Sequence, residues 1–370
     1  MASPATNVPL APFTTLRVGG PATLFAEAET PEDLASWTLW AKEHDVPLFV
    51  LGGGSNVLIG DEGFEGLVVR MGPMGGPAMQ PGARLGRQRV GCGAGVRWDD
   101  LVRFCVERGL SGIEALSGIP GCIGSAVMQN LGAYGQEMGG NLVGVRMLDR
   151  QDGLVRAYSS EELALGYRSS MLRRSLEDPA QPQWHPTPRW VVLEALFEFD
   201  CSDSGTVAHP QLAGALGCDV GTVMPLAQIR EAVLGVRASK GMVADPDPEG
   251  PAPLYDRWSS GSFFTNPVLA AEEAERVLPE DAPRYAAGAP GLVKTSAAWL
   301  IEHAGFPRGW GVHGPDSAAT LSSLHTLALT NRGRAAACDV EELARAVRDG
   351  VREAFDVVLT PETVLVGSRL

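Results

Sequence analysis

Several absences narrow the chemistry open to this chain before any motif is read. Its 370 residues carry 30 Lys and Arg against 44 Asp and Glu, a formal net charge of −14. A nucleic-acid partner wants a basic face, so that balance argues against one; an anionic ligand remains possible, because its charge is met locally. No apolar run reaches the ~20 residues that a membrane-spanning helix needs, and no membrane partner is expected. The opening MASPATNVPLAPFTTLRVGG lacks a basic stretch followed by an apolar one, so no secretory signal is expected. The six cysteines (Cys92, Cys105, Cys122, Cys201, Cys218 and Cys338) show no C-x-x-C or His-paired spacing, and the six histidines are dispersed. The expectation is reduced thiols, a cytoplasmic location and no zinc site. The most glycine-dense turn, LGGGSNVLI (Leu51 to Ile59), has neither the G-x-G-x-x-G spacing nor the G-K-[ST] of the two commonest phosphate-binding loops.

What is present reads as an ordinary globular chain of two or three domains, 45% hydrophobic and 20% charged. Thr30-Pro31 opens a helix with Leu34, Trp37 and Ala41 on one face. Trp98, Leu101, Val102 and Cys105 mark a second helix, with Gly109 as its stop. Val143 to Leu148 and Leu154 to Tyr158 read as a hairpin around Asp152-Gly153. Gly66 to Arg70, Arg89 to Cys92 and Trp190 to Phe199 read as strands, and Pro179 to Pro188 as a surface connection. Glu161 to Leu165 reads as a short helical run. Leu226, Ile229, Val233 and Val236 line a helix leading toward a second domain. The loop Asp245 to Pro253 is stiffened by proline. Asp339 with Glu342 resembles a capping box for a last helix whose face is Leu343, Val347, Val351 and Phe355. Strand-like runs follow at Val357 to Leu359 and Val364 to Val366. The mixture is α+β.

Three successive glycines, Gly52 to Gly54, after the apolar run Pro47 to Leu51 mean that the backbone turns tightly or approaches something closely. A strand followed by such a loop can cradle phosphate oxygens; a plain turn between strands is the alternative. SGIEALSGIPGCIGSAVMQNLGAYGQE (Ser111 to Glu137) is a second small-residue region, suited to lying flat against a planar ring or to a buried crossover. Together the two suggest a dinucleotide. Arg168 in GYRSS has the fork that holds a carboxylate or phosphate, or pairs with a surface acid. Ser262 in GSFFTNP lies in apolar surroundings, where its hydroxyl needs a partner; it is a proton donor or a turn residue. Glu362, after a proline and between apolar runs, is a half-buried carboxylate or an exposed strand-edge one.

Taken in order, TLRVGGPA (Thr15 to Ala22), LGGGSNVLI, IPGCIGSAVMQNLGAYGQE, GYRSS, RASK (Arg237 to Lys240), GSFFTNP and PETVLVG resemble the UDP-N-acetylenolpyruvoylglucosamine reductases over nearly the whole chain. The segment between Tyr158 and Ala238 resembles the longer, first type of that family. The resemblance implies an FAD-binding α+β module of the PCMH type, with two α+β subdomains, over residues 1–221. A smaller α/β substrate-binding domain would follow over 222–355, and terminal strands, 356–370, would return to the flavin. It implies non-covalent FAD held by Gly52, Gly53, Gly54, Ser55 and Asn56 and by Ile119, Pro120, Gly121, Gly124 and Ser125. NADPH would be the co-substrate, and the enolpyruvyl ether of UDP-N-acetylglucosamine would be reduced to UDP-N-acetylmuramate. Arg168 would meet the substrate carboxylate, Ser262 would donate a proton, and Glu362 would lie on the far side of the carboxylate. Tyr167, Lys240 and Asn266 match substrate-contacting positions. His209, in VAHPQL, stands where the first type has Tyr. Two rivals remain at this stage. Another flavoenzyme of the same fold, such as a hydroxy-acid or sugar-alcohol oxidase, would lack GSFF with GYR and the terminal Glu. A dead nucleotide-sugar binding protein would have lost Arg168, Ser262 or Glu362.

Overall fold

The computed structural model describes residues 3–243 and 255–370; the proline-stiffened loop expected at Asp245 to Pro253 lies outside them. The chain forms two compact units. One comprises Met1–Val8, Ala22–Gly54 and Phe64–Ser239, the other Pro9–Pro21, Ser55–Gly63 and Lys240–Leu370.

The first unit holds two larger sheets and, among the described residues, two small two-stranded ones. In the four-stranded one the order is Ala5–Pro9, Pro21–Ala28, Phe64–Met71, Leu48–Leu51, with Phe64–Met71 parallel to both of its neighbours. A central parallel strand is buried on both faces, which is why Leu67, Val68 and Val69 run consecutively without solvent exposure. The helix Pro31–Glu43 starts where expected. The Thr30 hydroxyl accepts from the Asp33 amide, the Asp33 carboxylate accepts from the Thr30 amide, and Pro31 occupies the first turn.

The larger sheet is antiparallel, in the order Val155–Ser159, Leu142–Asp149, Trp190–Cys201, Arg87–Gly93, Ala78–Gln80, with Leu110–Ser111 pairing onto the far end of Trp190–Cys201. Trp98, Phe197 and Phe199 are fully buried at its core, and the Trp98 indole donates to Leu116 O at 3.1 Å. The helix Leu226–Ala238 belongs to this first unit. Ile229 and Val233 pack with Ala115, Val207, Leu212 and Ala213.

The second unit is built on the helix Ala337–Phe355, whose buried face is Val340, Leu343, Ala344, Val347 and Val351. Beside it lie the hairpin Ala319–Leu321 with Leu329–Asn331 and a three-stranded sheet of Val268–Ala270, Leu292–Lys294 and Tyr285–Ala286. Val57–Ile59 pairs in parallel with Val364–Val366.

Three local expectations are corrected. Residues 160–164 form a turn, because Ala164 takes φ +46° and ends the run after one i−3 bond. The last helix begins at Ala337, earlier than expected. Asp339 is its third residue and reaches back to the Ala336 amide, while Asp61 receives the Ala337 and Cys338 amides at 2.7 and 3.0 Å. Val357 and Leu359 bury alternate side chains as a strand would, yet no strand forms there.

Candidate active site

The site residues of the first unit are carried by two glycine-dense segments that touch. A Cβ on Gly52 would come within 2.6 Å of the Cys122 thiol, and one on Gly53 within 2.9 Å of Gly121 Cα. Gly53 is therefore required first by another backbone, and Gly52 by the Cys122 side chain. Gly54, at φ +62°, then turns the chain. Among the described residues the amides of Gly53 and Ser55 have no hydrogen-bond partner, and neither has the Ser55 hydroxyl, although Ser55 is buried. Donors without a partner among the described residues, beside a cleared backbone, suit a pyrophosphate.

The second segment is clamped from both sides at Gly118. Asp99 accepts its amide at 2.6 Å, and Arg237 donates to its carbonyl at 3.2 Å. Burial pushes the Asp99 carboxyl up. The two bonds from Arg230, at 2.7 and 2.8 Å, and the Gly118 amide outweigh it, and the group sits below the ordinary carboxylate range. Ile119, Pro120 and Gly121 follow, all half-buried, with Gly121 at φ +118°. Gly124 donates its amide to Ala94 O at 2.8 Å, and a Cβ there would meet Ala94 Cβ at 3.3 Å. The Ser125 hydroxyl is occupied locally, donating to Cys122 O at 2.8 Å and accepting the Cys122 amide at 3.2 Å.

Arg168 and Tyr167 stand on a tight turn of the same unit. Arg168 Nη2 donates to Gly132 O at 2.8 Å, its guanidinium lies 5.3 Å from the Tyr167 ring centroid, and Tyr167 is 39% exposed. His209 caps the helix Pro210–Leu216, its Nδ1 accepting the Gln211 amide at 3.2 Å. Its ring also lies edge-on to Tyr134, with centroids 5.6 Å apart.

In the second unit, Ser262 and Glu362 are held together by backbone bonds. Glu362 N donates to Phe263 O at 2.8 Å, Thr265 N donates to Thr360 O at 2.9 Å, and Phe264 bridges Pro361. Asn56 joins the same group: its side chain donates to Glu362 O at 3.2 Å and its carbonyl accepts from Val364 N at 3.1 Å. Gly261 at φ +74° delivers Ser262, which is half-buried between that glycine and fully buried Phe263. The Ser262 hydroxyl has no hydrogen-bond partner among the described residues. Asn266 Oδ1 accepts the Ala297 amide at 2.9 Å, so its carbonyl is committed and its NH2 faces elsewhere. Lys240 acts on His325: burial first, then the charges of Lys240 and Arg308, push that imidazole down to about 4.

Sequence reasoning passed over Glu114, Asn130, Tyr134 and His325. Glu114 is 1% exposed and accepts from Gly112 N at 2.7 Å and Gln136 Nε2 at 2.9 Å. Tyr134, at φ +49°, is hydrogen-bonded to Arg237. Glu114 and Tyr134 lie inside the second glycine-dense segment, where their polarity in a small-residue run was the available signal.

Comparison with known proteins agrees with this geometry. Residues 22–158 match the family model described as an FAD binding domain, and residues 252–366 that of the UDP-N-acetylenolpyruvoylglucosamine reductase C-terminal domain. Fold and site thus define an FAD-binding α+β protein. The chain is 47% identical to the UDP-N-acetylenolpyruvoylglucosamine reductase of Nocardia farcinica, over 98% of this chain and 90% of that one. It is 43% identical to the enzyme of that name from Thermobifida fusca, over 99% of each. The solved UDP-N-acetylenolpyruvylglucosamine reductase of Thermus caldophilus superposes with a TM-score of 0.61 at 28% identity, over 97% of both chains. This chain belongs to the UDP-N-acetylenolpyruvoylglucosamine reductase family. Among the described residues no helix is long and apolar enough to cross a membrane.

Proposed function

We propose that this protein is a cytoplasmic reductase that converts the enolpyruvyl ether of UDP-N-acetylglucosamine to the lactyl ether of UDP-N-acetylmuramate, a step toward peptidoglycan. NADPH is the reductant and FAD is held without a covalent link. The residues present suit FAD: Gly52 and Gly53 clear the backbone, and Gly53 and Ser55 offer donors unpartnered among the described residues. What FAD supplies when bound is the relay of a hydride from NADPH to the terminal vinyl carbon of the substrate.

The chain's own side chains handle the rest. Addition of a hydride leaves an enolate on the pyruvyl unit, and its negative charge has to be met by groups already in place. Arg168 holds the carboxylate in its planar fork. Ser262 gives its hydroxyl proton to the carbon bearing that carboxylate, so that one hydride and one proton together saturate the double bond. Glu362 faces the enolate's far side and helps when it carries a proton. Lys240 meets the diphosphate, while Tyr167, His209 and the Asn266 amide contact the nucleotide-sugar.

The observation that carries this reading is the Ser262 hydroxyl, without a partner among the described residues and fixed by the backbone bond between Phe263 and Glu362. The test is anaerobic. The purified yellow protein should bleach with NADPH and regain its colour when the enolpyruvyl nucleotide is added. Bleached protein that regains colour only with oxygen, and at the same rate with or without the nucleotide, is an oxidase instead.

A further inference from the structure

The turn that carries Arg168 is not a shape its own residues prefer. Gly166 and Ser169 close it with paired backbone bonds of 3.0 and 3.1 Å, and Arg168 sits at φ +50°. A non-glycine residue keeps that conformation only where its surroundings enforce it. The enforcing element is the stretch from Met128 to Gly132, which grips the turn at three points. The Ser170 hydroxyl donates to Met128 O, Asn130 Nδ2 donates to Gly166 O at 3.0 Å, and Arg168 Nη2 donates to Gly132 O at 2.8 Å. Asn130 is the middle grip, its side chain reaching out from this stretch to the turn.

Asn130 is 2% exposed, and its other bonds are complete as well. Nδ2 donates to Glu137 Oε2 at 3.0 Å, and Oδ1 accepts the Gly139 amide at 3.1 Å. Asn130 itself takes φ +45°, which asparagine tolerates better than most residues. One buried amide therefore ties the turn of Arg168 to both arms of the segment that supplies Gly132.

We propose that Asn130 is a positioning residue for Arg168, setting the guanidinium where a substrate carboxylate arrives. The inference rests on the reading of Arg168 given above. It makes a specific demand: loss of Asn130 must hurt ligands that carry the carboxylate and spare those that lack it.

Calorimetry on the FAD-loaded protein provides the test, with UDP-N-acetylmuramate as the carboxylate-bearing ligand and UDP-N-acetylglucosamine as the one without. Asn130→Asp keeps the shape and the acceptor for Gly139 while losing the donors to Gly166 and setting a carboxylate against Glu137. The muramate should bind about tenfold or more weakly, because misplacing a group by about 1 Å has effects of up to about a hundredfold, and the glucosamine should stay within about twofold. Recovery of flavin colour by the enolpyruvyl nucleotide should slow comparably while NADPH bleaching stays at the wild-type rate. Asn130→Gly, which keeps the left-handed backbone without the side chain, should give the same pattern and stands in if the aspartate variant fails to fold. In an Arg168→Ala background the Asn130 substitution should cost the muramate nothing more. Equal weakening of both ligands, or losses that multiply in that background, would mean that Asn130 is only part of the scaffold. If Arg168→Ala alone leaves muramate affinity unchanged, the assignment of Arg168 falls, and this inference falls with it.

Discussion

The two units carry their own candidate residues in opposite ways. In the first, Gly52 and Gly53 lie against Cys122 and Gly121 because there is no side chain to keep them apart, and Gly118 is held by one bond to its amide and one to its carbonyl. In the second, Ser262 and Glu362 hang from paired backbone, with fully buried Phe263 and Phe264 behind them. On the proposed reading, a surface for a large flat cofactor is made by removing side chains, and a surface for proton transfer by fixing a few. A substitution should then fail differently in each. Adding atoms harms the first, and removing atoms harms the second.

Ser262→Ala should show the largest effect. Loss of a general acid typically costs on the order of 10²–10⁴ in rate, so recovery of colour by the enolpyruvyl nucleotide should slow by that range. Bleaching by NADPH and nucleotide affinity should hold, and Ser262→Cys should regain part of the rate. Stopped-flow absorbance separates the two half-reactions; an alanine variant with normal turnover would show the hydroxyl to be a turn feature.

Gly53→Val tests the other half. Its Cβ would press on Gly121, and overpacking of this kind costs roughly 1–3 kcal/mol. FAD content after gel filtration and the denaturant midpoint should both fall, while Gly75→Val, where nothing lies within 4 Å of an added Cβ and φ is +80°, should leave FAD content alone. If both substitutions strip FAD equally, close backbone contact is not what holds the cradle.

A pH effect separates the units further. His325 titrates at about 4 in the folded second unit, against ~6.5 in an unfolded chain. The unfolded state therefore takes up the proton first as pH falls. His325's contribution is complete above about pH 6.5 and drains between there and about 4, by on the order of 3 kcal/mol. His325→Gln should flatten the acid limb of the stability curve, measured by urea midpoints.

Lys240→Ala should have the mildest effect, on the order of 1 kcal/mol in nucleotide affinity, as for a point charge beside a phosphate. It should also raise the His325 pKa, read by NMR titration. A slower NADPH step in this variant would place Lys240 elsewhere in the reaction.

The elements were most legible where one local signal sufficed. Thr30-Pro31 specified a helix start, and Asp152-Gly153 a hairpin. The glycine run was legible as a demand for close approach, though not for what it approaches, since Gly121 is far away in sequence. Arg168, Ser262 and Glu362 stand as candidates through the resemblance of their motifs. Physics alone left each with a plainer explanation. The bond Asn130 makes was not legible, because its partner Gly166 lies 36 residues on and is a backbone carbonyl that no residue type announces. The start of the last helix was misplaced for the same reason. Its cap is Asp61, 276 residues away, and no local pattern could name it.

The pairing of Val57–Ile59 with Val364–Val366 has a consequence in time. Asn56 and Glu362, joined by one hydrogen bond, are 306 residues apart. As the chain leaves the ribosome, Asn56 must wait for 306 further residues to be synthesised before its partner exists. The first unit lies almost wholly before residue 240 and can organise during that interval, as domains generally do. The second cannot, since closing so long a loop is slow and must precede any gain from the contact. Newly made chains should therefore bring Gly52 and Gly53 against Cys122 and Gly121 before Ser262 and Glu362 are in place, so the nascent protein passes through a stage in which one unit is organised and the other is not.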